Sequence, residues 1–318
     1  MRFLVAGAGA IGGYIGACMT RAGADVTLYA RGPHLRAMQE RGLRVTHSDS
    51  SLGFEVQPKT SGDLADAGTF DVIFLGVKAH GLTQLAPHLT PLIGEHTTVV
   101  SLQNGIPWWF CALESVDPGG TVAASIPAPC VVGSLVYLGT EIVEPGVIRH
   151  TEGNRISLGE PDGTRSDRCR AIAEALIKSG LRAPITVRIR EEIWVKLLGN
   201  VAFNPLSALT RATLVQMARD PAVRDLVRSI MREVVCVADK LGMDLPVSIE
   251  QRIAGAEKIG EHKTSMLQDL EAGRPLELEP VVGAVVELGS QLGVDMPQTR
   301  AIYACTKLLE SVSRQGRS

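Results

Sequence analysis

The sequence predicts an α/β domain built on a doubly wound sheet, followed by an all-α domain. Three observations carry that expectation. Short runs that are apolar on both faces alternate with helical stretches over the first 160 residues. A glycine-rich turn joins the first run to the first helix. Beyond about residue 188 the apolar spacing settles to a helical period, and 318 residues is room for two domains. The boundaries expected are 1–187 for the α/β domain and 188–318 for the all-helical domain.

Taken in order, residues 2–6, 25–29, 71–77 and 97–102 are dense in Val, Ile, Leu and Phe, as buried parallel strands are. Residues 11–22 and 35–41 between them favour helix, and 81–92 can hold helical turns. Parallel neighbours need a crossover, so strand–helix–strand alternation implies a doubly wound sheet. A short helix is expected at 121–126. Strands at 131–138, 147–150 and 155–158 would then close the sheet as an antiparallel or mixed edge, with Glu144-Pro145-Gly146 as a turn. Helices follow at 192–211, 222–241, 248–259, 264–272, 280–292 and 298–312. Gly242, Gly273 and Gly293 stand after helices, and Pro221, Pro246 and Pro297 near helix starts.

Composition excludes large partners. Acids number 34 against 32 bases, a net charge of -2, where nucleic acid or an anionic membrane calls for a basic excess. Six scattered cysteines show no Cys-x-x-Cys pair and no His at metal-ligand spacing, so reduced thiols in a cytoplasmic protein are expected and no metal is. The N-terminus has the outline of a signal peptide, but Gly7, Gly9, Gly12 and Gly13 break its apolar core. Residues 118–140 carry no charge, yet Pro118, Pro127 and Pro129 bar one continuous helix. No membrane span is expected.

The run Gly7-Ala8-Gly9-Ala10-Ile11-Gly12 follows a strand and opens a helix, the setting in which G-x-G-x-x-G binds a dinucleotide. Gly7 would make the turn, Gly9 would admit a pyrophosphate, and Gly12 would let helix and strand pack closely. The second strand ends in Arg31, where a binder of NAD would carry an acid for the ribose 2′-hydroxyl. A guanidinium there matches a 2′-phosphate, which predicts NADP(H). Two more strand ends carry Lys78 and Asn104, either facing the cofactor or serving only as loop residues.

In the helical half, Lys196, Asn200 and Asn204 fall at i, i+4 and i+8, on one face of an otherwise apolar helix. Such a ladder belongs beside a polar cleft, and desolvation eases proton release from an ammonium. Ser265 either caps a helix or binds a ligand, and Glu277 either opens the next helix or joins the site. Spacing alone leaves both open.

These residues together resemble the ketopantoate reductase family along nearly the whole chain. The shared landmarks are the glycine loop, Arg31, Val77-Lys78, Gln103-Asn104-Gly105, Lys196-x-x-x-Asn200-x-x-x-Asn204-Pro205, and Ser265-Met266-Leu267-Gln268-Asp269 followed by Glu277. The resemblance implies a Rossmann domain with an all-α C-terminal domain, and NADPH-dependent reduction of a 2-keto acid, 2-dehydropantoate, to pantoate in coenzyme A biosynthesis. It makes Lys196 the proton donor. It assigns Gly7, Ala8, Gly9, Ala10, Ile11, Gly12, Arg31, Lys78, Asn104 and Glu277 to the cofactor, and Asn104, Lys196, Asn200, Asn204 and Ser265 to the substrate. Base rates add a homodimer.

The chain departs from the family at Ile106-Pro107-Trp108-Trp109, at residues 115–127, and at Leu276-Glu277-Leu278-Glu279. Two alternatives stay open: a reductase for another branched 2-keto acid, and a non-enzymatic sensor of NADP(H).

Overall fold

The computed structural model describes residues 1–315, and the chain divides into two units. Unit one comprises Met1–Asn104 and Gly119–Ile189; unit two comprises Gly105–Pro118 and Arg190–Ser318.

Unit one opens with β1 (Arg2–Ala6), α1 (Ala10–Arg21), β2 (Asp25–Tyr29) and α2 (Gly32–Arg41). It continues through β3 (Leu43–His47), β4 (Phe54–Val56), β5 (Lys59–Ser61), β6 (Val72–Leu75), α3 (Ala79–Leu89) and β7 (Thr98–Ser101). After Gly119 come α4 (Thr121–Ser125), β8 (Val131–Glu144), β9 (Val147–Gly159) and α5 (Asp167–Lys178). Among the described residues the strands form one nine-stranded sheet in the order β4-β3-β9-β8-β7-β6-β1-β2-β5. The six strands from β8 to β5 in that order run parallel. The chain winds from β1 outward through β2 to β5, then crosses to β6 on the other side of β1. Strand order therefore reverses between β1 and β6, the place where doubly wound sheets open a crevice. Phe3, Val5, Ile15, Met19, Leu28 and Phe74 form the core between α1 and the sheet, each contributing roughly 1.5–3 kcal/mol by burial.

Residues 131–158 do not close the sheet as its edge. β8 and β9 are one long antiparallel hairpin inside it, with β3 and β4 paired beyond β9. β4 and β5, at three residues each, are too short to show a period, and β3 is half exposed. Helix α5 also went unread, although Ser166 accepts from the Cys169 amide as its N-cap.

Unit two contains α6 (Ile189–Thr210, entering from the last residue of unit one), α7 (Leu214–Arg219), α8 (Pro221–Lys240), α9 (Ile249–Ile259), α10 (Ser265–Glu271), α11 (Ala284–Gln291) and α12 (Pro297–Gln315). Residues 280–292 are not one α-helix: a π-helical turn, Glu279–Gly283, precedes α11. No helix among the described residues is long and apolar enough to cross a membrane. Residues 105–118, which a break at 187/188 would leave with the sheet, group instead with the helices. Hydrogen bonds to unit two hold them. The Ile106 amide donates to the Pro280 carbonyl at 2.8 Å, Arg190 Nη1 donates to the Phe110 carbonyl at 2.9 Å, and Glu287 holds residues 114 and 115.

Candidate active site

In unit one the C-terminal ends of four neighbouring parallel strands carry the residues assigned to cofactor. The glycine loop follows β1, Arg31 follows β2, Lys78 follows β6 and Asn104 follows β7. Gly7 has φ +108°, a left-handed conformation, and a Cβ there would stand 2.5 Å from Val77 Cγ1. Gly12 is packed as tightly: a Cβ would overlap the Gly7 carbonyl oxygen and lie 2.9 Å from Val5 Cγ1. Gly9 is the open one, since a Cβ there would meet only the Gly76 oxygen, at 3.9 Å. Gly9 is also the N-cap of α1. It supplies no side-chain hydrogen bond, and the first turn holds no acid. Amides at that helix end therefore face no competing carboxylate, and the loop fits a phosphate group.

Around this loop the polar groups are oriented by neighbours. Arg31 is exposed at the N-cap of α2 and donates from Nε to the Tyr29 hydroxyl at 2.7 Å, which leaves its two terminal nitrogens for an oxyanion. The Tyr29 carbonyl in turn accepts from the Gly7 and Ala8 amides. Lys78 is the half-buried N-cap of α3. Gln103 Nε2 donates to the Val77 carbonyl at 3.2 Å, tying the loop that bears Asn104 to the strand end that bears Lys78.

In unit two, α6 carries Lys196, Asn200 and Asn204. No residue from Ile189 to Leu209 on this helix is exposed, so it is an interior helix and not an amphipathic surface one. Lys196 and Asn200 are half-buried and Asn204 is buried. Trp194, fully buried, anchors the helix and donates from Nε1 to the Val234 carbonyl on α8. Pro205 brings no amide to the ladder and so leaves the Val201 carbonyl without its helical donor, beside the two asparagines.

Ser265 is exposed at the first residue of α10. It is not the cap, because Thr264 Oγ1 accepts from the Leu267 amide in that role. Glu277 is half-buried at the end of an irregular segment, and helical Leu278 separates it from the π-helical turn. For Ser265 the capping alternative is thereby removed, while Glu277, directly before helical Leu278, keeps both of its alternatives.

Sequence reasoning missed the residues that hold 105–118 in place. Glu287 on α11 accepts from the Glu114 amide (2.9 Å), the Ser115 amide (2.9 Å) and the Ser115 hydroxyl (2.6 Å). Burial raises its pKa, and those donors together outweigh burial and hold it below the usual glutamate range. A lone acid in the apolar run Ala284-Val285-Val286-Glu287-Leu288 was the available signal. Gly105 has φ +87°, and a Cβ there would run into the Pro280 carbonyl. Burial pushes the Cys111 thiol up to about 11, so this loop offers no thiolate nucleophile at neutral pH.

Comparison with known proteins gives this geometry a family. Residues 3–163 match the model described as ketopantoate reductase PanE/ApbA, and residues 188–310 match its C-terminal counterpart. A 2-dehydropantoate 2-reductase of Mesorhizobium japonicum is 44% identical, the match covering 97% of this chain and 98% of that protein. A crystal structure of a candidate ketopantoate reductase from Ralstonia solanacearum superposes with TM-score 0.93 at 38% identity, covering 98% of each chain. The fold is shared more widely: a D-mandelate dehydrogenase solved with NADH and anilino(oxo)acetate gives TM-score 0.86 at 22% identity, covering 98% of this chain and 99% of that one. Two family models spanning both halves, with a relative of that identity over nearly the full length, establish that the chain belongs to the ketopantoate reductase family.

Proposed function

We propose that this protein is an NADPH-dependent oxidoreductase that reduces 2-dehydropantoate to pantoate. The observation that carries the reading is the interior Lys196–Asn200–Asn204 ladder of α6, in a chain 44% identical to a 2-dehydropantoate 2-reductase. Bound NADPH supplies the hydride. Gly9 and the first turn of α1 hold its pyrophosphate, Arg31 its 2′-phosphate, and Lys78, Asn104 and Glu277 its remaining polar groups. Lys196 Nζ, as ammonium, donates a hydrogen bond to the keto oxygen, stabilises the negative charge that grows there, and releases its proton to it. Asn200, Asn204, Asn104 and Ser265 orient the acid without adding charge. A sensor of NADP(H) would have no use for an aligned proton donor.

The test is direct: loss of nicotinamide absorbance with NADPH and 2-dehydropantoate, set beside a panel of branched 2-keto acids. Preference for another acid reassigns the substrate, and no turnover with any acid sinks the enzymatic reading.

Because the same fold is found in a D-mandelate dehydrogenase solved with NADH, fold alone does not select the phosphorylated cofactor. Arg31 makes that choice here. Arg31→Ala is expected to lower the NADPH-over-NADH ratio of kcat/KM by about 10–100-fold, the worth of one charge-assisted contact. An unchanged ratio would remove Arg31 from the cofactor site. Six cysteines without a disulfide support action in the cytoplasm. A homodimer rests on base rates alone and is checked by light scattering.

A further inference from the structure

Trp108 is 6% exposed, and its indole Nε1 is buried without a hydrogen-bond partner among the described residues. A buried N–H left unsatisfied is costly, so one kept in a folded protein calls for an explanation, a ligand acceptor among them. The loop around it is not loose. The Phe110 amide donates to the Pro107 carbonyl at 3.0 Å, closing a turn with Trp108 at its second position. The Ile106 amide is held by the Pro280 carbonyl, three residues beyond Glu277. Phe110 stacks on Trp194, two residues before Lys196, with ring centroids 6.1 Å apart at 27°. Glu287 fixes the far end at residues 114 and 115. The loop begins at Gly105, the residue after Asn104. Two of the segments that hold it, α6 and the stretch before the π-helical turn, carry residues assigned to the site, Lys196 and Glu277, and the idle donor is fixed beside them.

We infer that Trp108 is a specificity-determining residue, whose indole N–H donates to the hydroxyl oxygen at the end of the 2-keto acid remote from its carboxylate. The inference rests on the reductase reading above. An indole N–H is an uncharged donor with no acceptor capacity. Its neighbours in the chain are Pro107, Trp109 and Phe110, so a carboxylate brought there would pay far more for its lost hydration than a neutral hydroxyl, whose loss one N–H donor can offset. The charged end of the acid is already provided for by the amides of α6 and by Ser265. Sites that hydrogen-bond a substrate hydroxyl reject analogues that lack it, and this donor supplies that discrimination.

The experiment compares kcat/KM, with NADPH, for 2-dehydropantoate and for 3,3-dimethyl-2-oxobutanoate, which differs only in lacking the hydroxyl. Wild type is expected to prefer the hydroxylated acid by about 30-fold, and Trp108→Phe by less than about threefold, with the loss confined to the hydroxylated acid. A preference that survives in Trp108→Phe, or is absent from wild type, overturns the inference while leaving the reductase reading in place. Wild type that reduces neither acid removes the 2-dehydropantoate reading and this inference with it. Should Trp108→Phe fail to fold, the wild-type protein decides the matter by NMR. With NADP+ present, the Trp108 indole N–H resonance should shift on adding pantoate and stay put on adding 2-hydroxy-3,3-dimethylbutanoate. Equal responses to the two acids count against it.

Discussion

Lys196→Ala is expected to lower kcat by at least about 10²-fold while the Kd for NADPH stays within about threefold of wild type. The separation follows from where the groups lie. The glycine loop, Arg31 and Lys78 are in unit one, on the ends of β1, β2 and β6, whereas Lys196 is on α6 in unit two. On the proposed roles, removing the ammonium would leave the amides of the glycine loop as they were and take away the proton for the keto oxygen. A positioned general acid contributes typically about 10²–10⁴-fold. A large loss of turnover with NADPH affinity kept is thus the signature of this residue. Lys196→Arg sharpens the point. It keeps the positive charge but releases its proton poorly, so it should recover substrate affinity more than turnover. NADPH fluorescence titration gives the Kd and steady-state absorbance the kcat. Turnover of Lys196→Ala within tenfold of wild type would overturn the assignment.

Much of this was legible in the chain because it is written in short spacings. The glycine loop needs six consecutive residues, the α6 ladder nine, and Arg31 only the end of a recognisable strand. What was not legible depends on pairings far apart in sequence. Ser115 and Glu287 are 172 residues apart, and nothing local in residues 105–118 says that the loop leaves the sheet to join the helices. Ser265 illustrates a subtler limit. Spacing could not tell a capping serine from a free one, because the choice lies with Thr264 one residue earlier. The π-helical turn before α11 escaped for a similar reason: apolar periodicity does not register one extra residue in a single turn.

Two glycine-to-alanine substitutions, both at helical positions, are expected to act in opposite directions. Gly12 lies in α1 and Gly255 in α9, and neither has a positive φ, so alanine is conformationally favoured at both by about 0.5–1 kcal/mol. At Gly255 nothing lies within 4 Å of a new Cβ, and the residue is exposed. Gly255→Ala should therefore raise Tm slightly and leave NADPH affinity alone. At Gly12 the new methyl would overlap the Gly7 carbonyl oxygen, stand 2.9 Å from Val5 Cγ1 and 3.3 Å from Gly76 Cα. Two of those neighbours are backbone atoms of the turns after β1 and β6, which cannot swing aside as a side chain can. Overpacking of that kind costs about 1–3 kcal/mol, more than the helix preference returns. Relief comes only by lifting α1 away from the turn, which moves the Gly9 amide end that is proposed to receive the pyrophosphate. Gly12→Ala is thus expected to lower Tm and to raise the Kd for NADPH by at least about tenfold, the equivalent of about 1.4 kcal/mol. If Gly12→Ala binds NADPH as tightly as Gly255→Ala does, the close packing of α1 on the β1 turn is not what shapes the cofactor site.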